Sequence, residues 1–262
     1  MPHVDTNGQR IWFRDSGGNG LPLVLAHGWL MDADMFAPQE AVLGSRHRVI
    51  TWDGRGHGRT VSTADPFTYW DSADDLRGVL DHLGIEHAVV GGMSQGGFVA
   101  LRFALRYPER TAGLVLIDTR SGPEDADKVA EYDVMHEVWV TDGPSDQLAE
   151  MVAAIVIGGN SPQSAEWITK WKERPHESLT QIYRTLMDRD DITSRLAEIQ
   201  APALVIHGDA DAAIDLRHAE ALCWALSGCS KVVVIPGAGH SSNLTHPDPA
   251  NRAIDEFLAR LA

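Results

Sequence analysis

Six short apolar runs recur along the chain, each closed by Gly or Asp: LPLVLAHG, RVITWDG, HAVVGG, GLVLID, ALVIHG and KVVVIPG. They are rich in β-branched residues and near-continuously apolar, so both faces of each must be buried. Such strands suit a parallel sheet covered on both sides. Longer helical stretches separate them. DSADDLRGVLDHLG puts Leu76, Val79, Leu80 and Leu83 on one face and stops at Gly84. The alternation predicts a mostly parallel central sheet flanked by helices, with right-handed crossovers. GQRIWFRDSG, ahead of the first run, reads as an antiparallel edge strand ending in a Gly-rich turn.

The rhythm breaks once. From Ser121 to Glu198 no comparable strand occurs; DQLAEMVAAIVIGG, SAEWITKWKE and LTQIYRTLMDR are helical and are separated by Gly, Pro and Asn. The interval starts and ends at strand ends, where ligands of open α/β sheets sit. It is therefore expected to be a helical lid, 121–198, inserted into a core of 1–120 and 199–262. Its Trp139, Trp167 and Trp171 are candidates for the substrate pocket.

With 262 residues, 44% of them hydrophobic, the chain can fill a sizeable core. The net charge of −15 repels phosphate backbones, so no nucleic acid partner is expected. No run reaches transmembrane length and no signal peptide is visible, so no membrane association is expected. Cys223 and Cys229 read as two reduced thiols, which with the missing signal points to a cytoplasmic protein. Whether copies assemble into a homo-oligomer stays open.

GMSQGG, Gly92 to Gly97, follows the HAVVG strand and opens the helical stretch FVALRFALRY. A serine on a tight strand–turn–helix bend has the setting of a nucleophile elbow. Gly92 and Gly96 fit there because a Cβ would meet the neighbouring strand and helix. The start of the helix points free N–H groups toward Ser94, ready for an anion. A serine hydroxyl needs a base, and the base needs an orienting carboxylate. In the chain order Ser, acid, His, HGDAD offers Asp209 or Asp211 and GAGH offers His240.

HGW (27–29), DGRGHG (53–58), GMSQGG, HGDAD (207–211) and GAGH (237–240) match, in order and spacing, the landmarks of the α/β-hydrolase superfamily, which the chain resembles over nearly its whole length. The resemblance implies the α/β-hydrolase fold with a lid between two strands. It selects Asp211 as the acid, leaving Asp209 to stabilise its loop. It implies an oxyanion hole from the backbone N–H groups of Gln95 and Trp29, with the Trp29 indole lining the pocket. Asp118, at the end of GLVLID, is the rival acid, since some relatives take theirs from that strand; otherwise it caps or orders the approach to the lid.

Among the other histidines, His57 reads as part of a structural turn tied by Asp53 and Arg55. His27 and His207 read as satisfied polar residues at strand ends, and His246 is a second candidate base. No zinc spacing and no nucleotide-binding glycine motif occurs, so no metal and no cofactor is expected. The function expected is a serine hydrolase with a Ser94–Asp211–His240 triad. It would cleave a small-molecule carboxylic ester or lactone, apolar or aromatic, as esterases and enol-lactonases do. The alternatives are a cofactor-free, haloperoxidase-like perhydrolase, a hydrolase-fold dioxygenase and a small-ligand receptor. Perhydrolases often carry Pro where this chain has Leu30. Dioxygenase relatives usually carry His where it has Gln95.

Overall fold

The computed structural model describes residues 2–158 and 161–261. The Gly159 end of DQLAEMVAAIVIGG, and residues 1 and 262 at the ends of the expected core, lie outside the described residues. The strands run in chain order β1 (His3–Thr6), β2 (Gln9–Asp15), β3 (Pro22–Ala26), β4 (Arg48–Trp52), β5 (Ala88–Met93), β6 (Thr111–Ile117), β7 (Ala203–Gly208) and β8 (Val232–Ile235). They form one eight-stranded sheet in the order β1-β2-β4-β3-β5-β6-β7-β8. Strands β3 to β8 are mutually parallel, as their two-sided apolarity requires, and β1 and β2 are antiparallel.

The strand GQRIWFRDSG is antiparallel as expected, but it is not the edge. β1 pairs outside it, from His3 opposite Trp12 to Thr6 opposite Gln9. β1 has only four residues and no fully buried one, so its apolar signal is slight.

Helices α1 (Ala37–Leu43), α2 (Tyr69–His82) and α3 (Gln95–Arg106) follow strands β3, β4 and β5. α2 is held by a capping box between Thr68 and Asp71, and it buries Leu76, Val79 and Leu80. Buried side chains form one cluster on each sheet face, so β5 is buried along its whole length. Between β6 and β7 come α4 (Ala126–Asp142), α5 (Asp146–Val156), α6 (Pro162–Glu173) and α7 (Leu179–Met187). α8 (Leu216–Ala225), α9 (Ser242–Thr245) and α10 (Pro247–Leu261) complete the chain.

The expectation of two reduced cysteines is corrected. Cys223 and Cys229 form a disulfide, with their Cα atoms 5.2 Å apart. After α8 the chain turns back at Leu226–Gly228, and the Cys229 N–H donates to the Leu226 carbonyl at 3.0 Å, which returns the second thiol to the first. This removes the cysteine part of the argument for a cytoplasmic setting. No helix among the described residues is long and apolar enough to cross a membrane.

Candidate active site

Ser94 stands between the last residue of β5 and the first of α3 with φ +52°, a left-handed backbone that a non-glycine residue holds only where its surroundings enforce it. Its N–H donates to the Ile117 carbonyl at 2.9 Å. Its carbonyl accepts from the Thr119 hydroxyl at 2.7 Å. A Cβ on Gly92 would run into Gly96 and the Ala26 carbonyl, and one on Gly96 would strike that same carbonyl. The two glycines therefore let α3 press against β3 and β5.

The second side chain sits beyond β7. Asp211 accepts from the Ala213 and Ile214 N–H groups on Oδ1, at 2.8 and 2.9 Å. Its Oδ2 lies 2.8 Å from His240 Nδ1. His240 is in the loop between β8 and α9, is 5% exposed, and lines the same cavity as Ser94. Burial alone would lower the His240 pKa, but the Asp211 carboxylate, through charge and hydrogen bond, raises it above the ordinary histidine value. Burial likewise pushes Asp211 up, but the His240 charge and hydrogen bond, with the Ile214 N–H and His207, more than offset this and hold it below the usual carboxylate value. Each partner thus favours the other's charged form. Asp209 accepts the Gly237 N–H at 2.6 Å and so closes the loop ahead of His240.

Asp118 does not order the approach to the lid. Its backbone is also left-handed, at φ +46°. Its buried carboxylate accepts the Gly208 N–H at 2.9 Å on one oxygen. The other oxygen takes the Ser242 N–H and hydroxyl, at 2.9 and 2.7 Å. It therefore ties the root of the Asp211 loop to the segment just after His240. Burial, then the nearby Asp211 charge, raises its pKa to about 6. Asp118, His207 and Asp211 bring ligand-type atoms within 4.8 Å of one another. Their carboxylate oxygens are nevertheless taken up by these N–H and O–H donors.

Among the described residues, two backbone N–H groups lie free of protein acceptors near Ser94. Gln95 opens α3, so its N–H has no intrahelical acceptor. Trp29 is the second residue of a tight turn closed by the Met31 N–H on the Gly28 carbonyl at 3.1 Å. Among the described residues its own N–H has no acceptor. β3 and β5 are neighbours with Ala26 beside Gly92, so this turn and Ser94 emerge at the same sheet edge.

The cavity over Ser94 encloses about 860 Å³ including its mouth. Trp29 and Trp139 line it; Trp167 and Trp171 do not, and instead line a separate, open groove. Tyr132, Met135, His136 and Trp139 of α4 face it together, a set at helical spacing i, i+3, i+4, i+7. That spacing is the sequence signal for Tyr132 and His136, which the three lid tryptophans alone do not capture. Tyr183 of α7 stacks on His136, ring centroids 4.0 Å apart, and donates its hydroxyl to Asp133 at 2.7 Å.

The other histidines are placed by their bonds. His27 lies 2.8 Å from the Gly28 carbonyl through Nδ1 and accepts the Gly54 N–H at 2.9 Å through Nε2. His207 Nε2 is 2.8 Å from the Ile214 carbonyl, while its buried Nδ1 has no hydrogen-bond partner among the described residues. His57 bonds the Arg55 carbonyl at 2.8 Å, and His246 bonds Thr245 at 3.0 Å. The turn around His57 is tied differently from the expectation. Arg59, not Arg55, holds Asp53, at 2.7 Å; Arg55 reaches across to Asp75 of α2, at 2.6 Å.

A family model described as alpha/beta hydrolase fold matches residues 22–145 and 148–247. The chain belongs to the α/β-hydrolase family. It is similar to a non-heme haloperoxidase of Rhodococcus erythropolis, 28% identical over 98% of this chain and 99% of the relative. Among solved structures it is similar to a thermophilic esterase from Thermogutta terrifontis, 31% identical with a TM-score of 0.88, over 100% of this chain and 97% of the other. An enol-lactonase from Burkholderia xenovorans LB400 is 26% identical with a TM-score of 0.89, over 98% of this chain and 100% of the other. This α/β hydrolase thus has esterase, enol-lactonase and haloperoxidase relatives along its full length.

Proposed function

We propose that this α/β hydrolase cleaves a carboxylic ester or lactone of a small apolar or aromatic substrate through an acyl-enzyme on Ser94. The observation that carries the reading is the 2.8 Å bond from His240 to Asp211, with His240 and the left-handed Ser94 lining one cavity.

In this reading the Ser94 Oγ attacks the substrate carbonyl while His240 Nε2 takes its proton. Asp211 holds the ring by Nδ1 and stabilises the imidazolium. The oxyanion is met by the Gln95 and Trp29 N–H groups. His240 returns the proton to the leaving alcohol, which stays tethered if the substrate is a lactone. Water, deprotonated by His240, then attacks the acyl carbonyl and frees Ser94. The helices between β6 and β7 act as the lid, and their mostly apolar wall favours an apolar acyl group over a sugar.

The haloperoxidase relative keeps perhydrolysis in view, but Leu30 speaks for water as the acyl acceptor. Its φ is +63°, whereas a proline ring fixes φ near −65°. The loop shape that goes with proline is therefore not the one this chain adopts. A panel of p-nitrophenyl esters of increasing chain length, beside lactones, with and without peroxide, tests the reading. Turnover of esters or lactones by the wild type and none by Ser94→Ala is expected. Activity that appears only with peroxide would transfer the assignment to a perhydrolase.

A further inference from the structure

Lid helix α6 reaches the proposed oxyanion loop directly. The Trp171 indole N–H donates to the Leu30 carbonyl at 2.8 Å, and Trp171 is 3% exposed. Leu30 follows Trp29 and has a left-handed backbone although it carries a side chain. Such a conformation persists only where its surroundings determine it. Two bonds hold it here: the Met31 N–H on the Gly28 carbonyl, and the Trp171 N–H on Leu30. The neighbouring Lys170 grips the residues just after the turn, with Asp34 at 2.8 Å and Asp32 at 3.2 Å. On its other side the Trp171 ring meets Trp139 edge-on, centroids 6.0 Å apart, and Trp139 lines the cavity.

We infer that Trp171 is a positioning residue for the reaction: its indole N–H, by holding the Leu30 carbonyl, fixes the turn that presents the Trp29 N–H to the oxyanion. The inference rests on the reading of Trp29 as an oxyanion donor. Trp171 does not line the cavity over Ser94. It acts through Leu30, and it links the wall of the acyl cavity, at Trp139, to the anion-binding loop. A substrate that presses on Trp139 therefore braces the donor that stabilises its transition state. An acyl chain long enough to do so gains in kcat rather than in KM.

Trp171→Phe keeps an aromatic ring and deletes the N–H together with part of the indole's bulk. With p-nitrophenyl esters of two to six acyl carbons, kcat is expected to fall about 10- to 100-fold while KM stays within about threefold. That is a partial version of deleting an oxyanion donor outright. The rise of kcat with chain length should flatten in the same variant. An unchanged kcat, or a raised KM at unchanged kcat, overturns the inference and makes Trp171 a plain packing residue. Should Trp171→Phe fail to fold, Lys170→Gln reads the same loop from its half-exposed side. A fall of about threefold or more in kcat at constant KM is expected, and no fall overturns the inference. The hydrolase reading fails separately, if Ser94→Ala retains activity. Loss of activity in Ser94→Ala with a fully active Trp171→Phe removes this inference alone.

Discussion

The carboxyl edge of the sheet and the proposed lid, the helices between β6 and β7, are built on opposite principles. At the edge, neighbouring strand ends hold one another through backbone and carboxylate bonds. Ile117 holds the Ser94 N–H, Asp118 holds Gly208 and Ser242, and Thr119 holds the Ser94 carbonyl. Ser94 and Asp118 are kept left-handed in the process, so the edge stores strain that only a rigid frame sustains. The lid is held by side chains instead. α4 runs for 17 residues and buries only Trp139 fully; its remaining anchors are ring contacts and single bonds such as Tyr183 to Asp133. The difference teaches where selection can act. Changes at the edge should alter kcat, and changes in the lid, α6 apart, should alter which acyl group fits.

The largest expected effect tests the edge at its centre. Asp211→Asn leaves the shape and breaks the bond that orients His240, and kcat should fall by about three to four orders of magnitude. Steady-state kinetics on the best p-nitrophenyl ester measure it. A mild effect there, with a severe one for Asp118→Asn, would place the acid just beyond β6 and not beyond β7.

Asp118→Asn should come next, with a fall in kcat of about 10- to 100-fold, because an amide NH₂ cannot accept from the donors that now share the carboxylate. A pH profile separates this from simple loosening. His240 must be neutral to act as base, so kcat/KM should climb as pH rises from about 6 to 8 and then level off. Asp211 first, then Asp118 and Glu124, favour the imidazolium and hold the His240 pKa up. The group's surroundings also include His207, which faces Asp118 and Asp211. Removing the Asp118 charge should therefore move the rising limb to lower pH. His57→Ala and His246→Ala should leave the limb where it is. A limb that stays put in Asp118→Asn would reduce Asp118 to a purely mechanical tie.

The same contrast explains what could be read from the residues alone. Ser94, the candidate acids Asp209 and Asp211, and His240 each lie within five residues of a strand end with glycine nearby, so short local patterns offer them, and the family resemblance chooses Asp211. The six parallel strands announce themselves by unbroken apolarity. Other features depend on which residues meet across the fold. Nothing local says that Arg55 spans to Asp75 while Arg59 takes Asp53, or that Cys229 returns to Cys223. Asp118 looked like a rival acid or a lid residue because its partners, Gly208 and Ser242, lie 90 and 124 positions away. The lid tryptophans were visible as a set, but only packing separates Trp139, in the cavity, from Trp167 and Trp171 beside it. α4 was missed because its facing stripe is mixed aromatic and polar, covering a cavity and not a dry core.

The smallest expected effect probes the lid's share of the comparison. Ile155 of α5 is half-buried and lines the cavity wall. It lies on α5, away in the chain from the Gly28–Met31 turn and from the loops that carry Ser94, Asp211 and His240. Ile155→Ala removes about three carbons from that wall, and each methylene in an apolar pocket is worth about 1 kcal/mol or slightly more. The optimum acyl length should therefore move up by about one to three carbons. KM for the longest p-nitrophenyl esters should fall several-fold, and kcat for the acetate should stay within about threefold. The room created must be filled to be favourable, so short esters should lose some affinity as the long ones gain. A collapse of kcat across the series at constant KM would mean that α5 belongs to the rigid machinery of the edge, and the division between the two regions would fail.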